Sequence, residues 1–139
     1  TYGNREHTAQ SGLSDEIDAL LADTLNNGGK VIIPAFSVGR TQLLVYKLHQ
    51  LVDAGRLPGF PIYVDSPLSV NATEVFRLHS ECFNSEIYTF LREKENPFGM
   101  DNLTYIRKAS GSIKLNSLEG PAIIISSSGR REAGRIRHH

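Results

Sequence analysis

A single cysteine, Cys82, stands in a chain of 139 residues. That excludes an intramolecular disulfide framework and every thiolate zinc cluster. One unpaired thiol suits a reducing compartment, so a cytoplasmic location is the expectation. No apolar run approaches the ~20 residues a membrane-spanning helix needs, and no charged-then-apolar segment opens the chain. No membrane partner is expected. Excess charge is also missing: 15 basic side chains meet 15 acidic ones. This balance argues against a surface coated in cations, and leaves room for a local basic patch. Hydrophobic residues at 40% and charged residues at 22% set aside collagen-like and disordered classes. The length fits one domain spanning residues 1–139. Thr1-Tyr2-Gly3-Asn4 and Arg137-His138-His139 read as cuts through longer elements, so a fragment of a longer protein is expected.

What is present alternates between strand and helix. Ser14 reads as the cap of a helix with Ile17, Leu20, Leu21, Thr24 and Leu25 on one face, stopped by Gly28 and Gly29. Lys30 to Phe36 is a short apolar run bounded by Gly and containing Pro34, expected as a fully buried central strand. A turn, Ser37 to Arg40, leads to a helix over about 41–54, with Leu43, Leu44, Tyr46, Leu48, Leu51 and Val52 inward. Strands follow at 61–64, 103–106 and 120–125, and helices at 68–82, from about 84 to 95, at 110–118, and near Arg131. The fold class predicted is α/β: a small, mainly parallel sheet with helices on both faces, a Rossmann-like three-layer sandwich.

In such sheets ligands bind outside the carboxyl ends of the strands. The unusual polar residues fall there: Ser37 to Arg40 after the first strand, Asp65-Ser66-Pro67 after the second, Ser126-Ser127-Ser128-Gly129 after the last. Small hydroxyl and Gly residues let backbone amides approach an anion, helix N-termini add partial positive charge, and Arg40 adds a planar donor fork. A phosphate or phosphodiester site is the reading. Each feature also has an ordinary explanation. Ser and Gly are common turn residues, and Asp65-Ser66-Pro67 suits a plain helix start with Pro at N1. Arg130, Arg131, Arg135 and Arg137 suit a solvated helix face as well as a nucleic-acid face.

Several chemistries are absent. There is no His-Glu-x-x-His, no His-x-His-x-Asp and no Cys cluster, so no metal ligand is assigned. Neither a P-loop nor Gly-x-Gly-x-x-Gly follows a strand, and Gly-x-Ser-x-Gly is missing. The chain holds no complete catalytic set.

Four segments taken together resemble a known family. Thr1-Tyr2-Gly3-Asn4-Arg5-Glu6-His7 resembles the Thr-Tyr-Gly-x-Arg-x-His segment of β-CASP proteins, nucleases of the metallo-β-lactamase fold. Pro34-Ala35-Phe36 with Gly39-Arg40 and Gln42 matches the family's Pro-Ala-Phe-x-x-Gly-Arg-x-Gln strand, turn and helix. Ile62 to Leu68 resembles its next strand and loop. Ser126 to Gly129, with Gly134-Arg135-Ile136-Arg137-His138-His139, resembles its Ser-x-Ser-Gly-Met…Gly-Arg-x-x-His-His stretch. Arg130 stands where the family usually has Met, and Leu43 where many members have Glu.

The resemblance implies an insertion domain that packs on a metallo-β-lactamase core absent from this chain. The parent protein would be a zinc-dependent ribonuclease of RNA processing or decay, with two zinc ions bound outside these residues. This chain alone would be inactive. Its partners would be single-stranded RNA, the core of the same polypeptide and, in the parent, a second copy. Arg5 and His7 match positions expected near the metal cleft. Ser37, Arg40, Ser126, Ser127, Ser128 and Gly129 lie in loops expected to face RNA, with Arg130 and Arg135 as added phosphate contacts. Two other readings stay open: a binding module for a small phosphorylated metabolite or nucleotide, and a structural or dimerisation domain.

Overall fold

Three consecutive isoleucines, Ile123 to Ile125, are buried on both faces of the sheet. β-Branched side chains pack well on a pleated surface, and such a run needs a parallel strand covered on both sides. They form the centre of β4 (Ala122–Ser127) in the computed structural model, which describes residues 10–82, 85, 98–127 and 135–138. The other strands are β1 (Lys30–Ala35), β2 (Ile62–Asp65) and β3 (Leu103–Ile106). The helices are α1 (Gln10–Asn26), α2 (Arg40–Asp53), α3 (Pro67–Leu78) and α4 (Ala109–Asn116), with short 3-10 turns at Ser80–Cys82 and Arg135–His138.

The four strands lie in the order β1-β4-β2-β3 and every pairing is parallel. Side chains alternate between the two faces, as the period of a strand dictates. Ile62, Val64, Ile123 and Ile125 meet Leu21 and Leu25 of α1 and Val45, Tyr46 and Leu48 of α2 in the larger core. Phe76 of α3 packs on the same core and meets Phe98 edge to face, ring centroids 6.3 Å apart. Tyr63, Ile106 and Ile124 point the other way, against Leu115 of α4. Burial pushes the Tyr105 phenol up to about 12, so its hydroxyl stays protonated and donates to the Phe98 carbonyl at 2.7 Å. No helix among the described residues is long and apolar enough to cross a membrane.

The α/β three-layer class is therefore as expected, and several details differ. β1 was expected at the centre of the sheet and lies at its edge, with Lys30, Ile32 and Pro34 exposed. Pro34 supplies the reason: it has no N–H to give a second neighbour, so it suits an edge strand. The apolar run that fills the centre is β4 instead. That strand also continues through Ser127, so Ser126 and Ser127 belong to the sheet rather than to the loop after it. Ser126 pairs in register with Pro34 and Asp65, and Ser127 with Ala35. α1 is already helical at Gln10, which places Ser14 inside it rather than at its cap. The helix expected to reach Cys82 ends at Leu78; the start of the one expected near Arg131 lies outside the described residues, which show a 3-10 turn over Arg135–His138. Leu20 and Leu43, expected inward, are exposed. The helix expected from residue 84 to 95 lies outside the described residues except for Ser85.

Candidate functional site

Parallel pairing sends every strand out at one edge of the sheet. Neighbouring strands lie about 4.8 Å apart, so the exits of β1 and β2, with β4 between them, start about 10 Å apart. Yet the Ser37 and Ser66 hydroxyls meet at 3.1 Å. The loop after β1 and the loop after β2 thus lean together over the carboxyl end of β4. Two of the three polar bends singled out in the sequence share a rim; Ser128 and Gly129 of the third lie outside the described residues.

Local chemistry sets each loop. Gly39 caps α2 at φ 83°, a left-handed conformation that a side chain at this position would strain. Thr41 donates to the Phe36 carbonyl through its hydroxyl at 2.8 Å and its amide at 3.2 Å, and the Arg40 amide reaches the Val38 carbonyl at 3.1 Å. The loop therefore takes up the first amides of α2 itself. The Arg40 and Thr41 amides are thus engaged within the loop, and the polar side chains open at this rim are Arg40 and, in part, Ser37, whereas Ser66 is closed off from solvent. Ser66 caps α3 by accepting the Ser69 amide at 3.1 Å, with Pro67 at the first helical position. The ordinary helix-start reading of Asp65-Ser66-Pro67 holds. Neither α2 nor α3 has an acidic residue in its first turn, and the buried Asp65 carboxylate lies one residue before the α3 cap.

Gln42 locks the two loops to each other. Its side chain, 2% exposed, accepts the Gly39 amide at 2.7 Å. Its amide nitrogen faces Thr73 Oγ1 at 2.9 Å, the Ser37 carbonyl at 3.2 Å and the Ser69 carbonyl at 3.3 Å. Three oxygens on one side and an N–H on the other fix which way the amide points.

A second lock lies under the rim. Asp65 is fully buried, receives the Ser112 hydroxyl at 2.6 Å and pairs with Arg135. Arg135 also donates to the Arg107 carbonyl at 3.0 Å. Arg107 reaches back to Asn71 at 3.0 Å and Glu74 at 3.1 Å on α3. Beside Asp65 in register, the Ser126 hydroxyl is buried without a hydrogen-bond partner among the described residues.

The structure thus separates the residues proposed for phosphate binding. Arg40 is exposed and Ser37 half-buried on the rim. Ser127 is half-buried at the strand end, Ser126 is closed off from solvent, and Arg135 is engaged by Asp65. Arg5, His7, Ser128, Gly129 and Arg130 lie outside the described residues. Among the described residues no group of three His, Cys, Asp or Glu side chains could hold a metal ion. The zinc implied by the resemblance has no ligand set among the described residues.

Sheet order and strand-end loops describe an α/β domain with an all-parallel sheet whose β1 and β2 loops meet at its carboxyl edge. A family model described as Beta-Casp domain matches residues 41–139, and the chain belongs to that family. Among curated proteins it is similar to Ribonuclease TTHA0252 of Thermus thermophilus, 34% identical over 139 residues, covering 100% of this chain and 32% of that protein. It is similar to the RNase J-like protein of Methanocaldococcus jannaschii, 34% identical over 128 residues, with 92% of this chain and 28% of the relative covered. Endoribonuclease YSH1 of Saccharomyces cerevisiae is 27% identical over 142 residues, with 99% of this chain and 18% of the relative covered. The chain spans about a third of these relatives or less.

Proposed function

We propose that this chain is the RNA-holding domain of a larger zinc-dependent ribonuclease of RNA processing or decay. The observation that carries the reading is the closure of two strand-end loops over β4, Ser37 to Ser66 at 3.1 Å, with Arg40 exposed beside them. Ribonuclease relatives matched along the whole chain support it. Ser37, Arg40 and Ser127 contact phosphates, and Arg135 acts from beneath through Asp65. Arg5, His7, Ser128, Gly129 and Arg130 are assigned to the same cleft by resemblance alone. Phosphate contacts hold and orient a strand without reading its sequence, so base preference is weak. Hydrolysis belongs to zinc ions bound in parts of the parent protein outside this chain.

Two measurements test this. In the full-length protein, Arg40→Ala weakens binding of single-stranded RNA and reduces the slope of log affinity against log salt by about 1. An unchanged slope removes Arg40 from the phosphate contacts. This chain by itself cleaves no RNA when zinc is added; cleavage would contradict the division of labour. A nucleoside monophosphate bound as tightly as an oligonucleotide would favour the metabolite-binding alternative.

A further inference from the structure

Nine large apolar side chains are exposed among the described residues, and four of them stand on the strand-end rim: Phe36 and Val38 in the loop after β1, Leu43 and Leu68 in the first turns of α2 and α3. Scattered exposed apolar residues need no explanation, but a gathering of them at one edge marks a contact surface. Phe36 is the aromatic member, 52% exposed, its backbone carbonyl held by Thr41. The Arg40 guanidinium lies 5.6 Å from its ring centroid.

We infer that Phe36 is a stacking platform for a nucleobase of the bound single strand, with Arg40 serving the ring and the adjoining phosphate. This deepens the RNA-holding reading and rests on it. The occupant of this rim has to offer a flat apolar face beside a negative charge. Phe36 and Val38 are apolar, whereas the exposed Arg40 guanidinium and the half-buried Ser37 hydroxyl favour an anion. A nucleic-acid strand repeats that pairing of base and phosphate at every nucleotide, and aromatic rings with Arg planes are how proteins hold unstacked bases. An apolar protein surface laid on the same rim would desolvate Arg40 without supplying a counter-charge. Stacking accepts every base, so the platform adds affinity and selects single strands over duplex, whose bases are already stacked.

The test uses the full-length protein and two labelled single strands of equal length, an oligoadenylate and its abasic counterpart, followed by fluorescence anisotropy. Phe36→Leu keeps an apolar side chain at the position and removes the π face. It is expected to weaken oligoadenylate binding roughly 5- to 150-fold. Affinity for the abasic strand and the salt slope stay unchanged, and Phe36→Tyr restores wild-type binding. Equal wild-type affinity for the two strands would overturn the inference. So would a Phe36→Leu loss that is the same for both, the result given by a rim that docks protein. In either case salt-dependent binding by the wild type leaves the phosphate-holding reading standing; no binding to either strand ends both.

Discussion

Arg135→Leu is expected to lower the stability of this domain by about 3 kcal/mol, near the bottom of the range for breaking a buried ion pair. The cost is the carboxylate left behind. Asp65 is fully buried, and after the change the Ser112 hydroxyl at 2.6 Å is a neutral donor facing a charge that has lost its guanidinium. The Arg135 side chain is 20% exposed, so water can reach part of the vacated space, which sets the estimate low in its range. Asp65→Asn is the informative contrast. An amide keeps one oxygen for Arg135 and an NH2 for Ser112, so about 1–2 kcal/mol is expected. Adding Asp65→Leu to Arg135→Leu removes the buried carboxylate as well and recovers part of the loss, a coupling that a double-mutant cycle in urea measures. Additive losses would mean the pair contributes no mutual stabilisation. Total stabilities of domains are only about 5–15 kcal/mol, so the single change is a large fraction.

The strands and most helices were legible because their signals are local. Apolar runs bounded by Gly and Pro marked β1, β2 and β4, and Gly28 and Gly29 marked the end of α1. The placement of β1 was not legible from its apolar run, which describes an edge strand with one covered face as readily as a central one. Pro34 carried the missing information. The rim was legible from a topological rule: once all strands run parallel, every loop after a strand emerges at the same edge. What was closed to sequence reading is the chemistry under that edge. Asp65 and Arg135 lie 70 residues apart, and no local pattern pairs them. Arg135 stood in the sequence as a free cation for phosphate, and its role follows from a partner visible only in three dimensions. Phe36 was hidden differently: the same residue serves as the end of an apolar strand or as an exposed ring, and only the strand boundary at Ala35 decides.

Gln42→Leu is expected to cost about 2–4 kcal/mol, because it orphans two backbone polar groups at once. Each buried group left without a partner costs about 1–3 kcal/mol. The Gly39 amide loses its acceptor and the Ser37 carbonyl loses a donor, whereas the Ser69 carbonyl keeps the Thr73 hydroxyl at 2.8 Å. The decisive comparison is Gln42→Glu, which has nearly the same shape and preserves the acceptor for Gly39. If the amide points as described, the new carboxylate oxygen faces three oxygens in a site from which water is excluded, so Glu is at least as destabilising as Leu. Near-wild-type stability for Gln42→Glu in thermal unfolding would show that the three oxygens do not converge on this side chain. The functional consequence follows from geometry. Gln42 holds the Ser37 carbonyl and the Gly39 amide on one side and the start of α3 on the other. Its loss lets the two loops part above β4, so a Gln42→Leu parent protein that still folds binds single-stranded RNA more weakly, with the loss concentrated at the contacts of Ser37 and Arg40. Unchanged affinity in that folded variant would mean that closure of the loops is not needed to hold the strand.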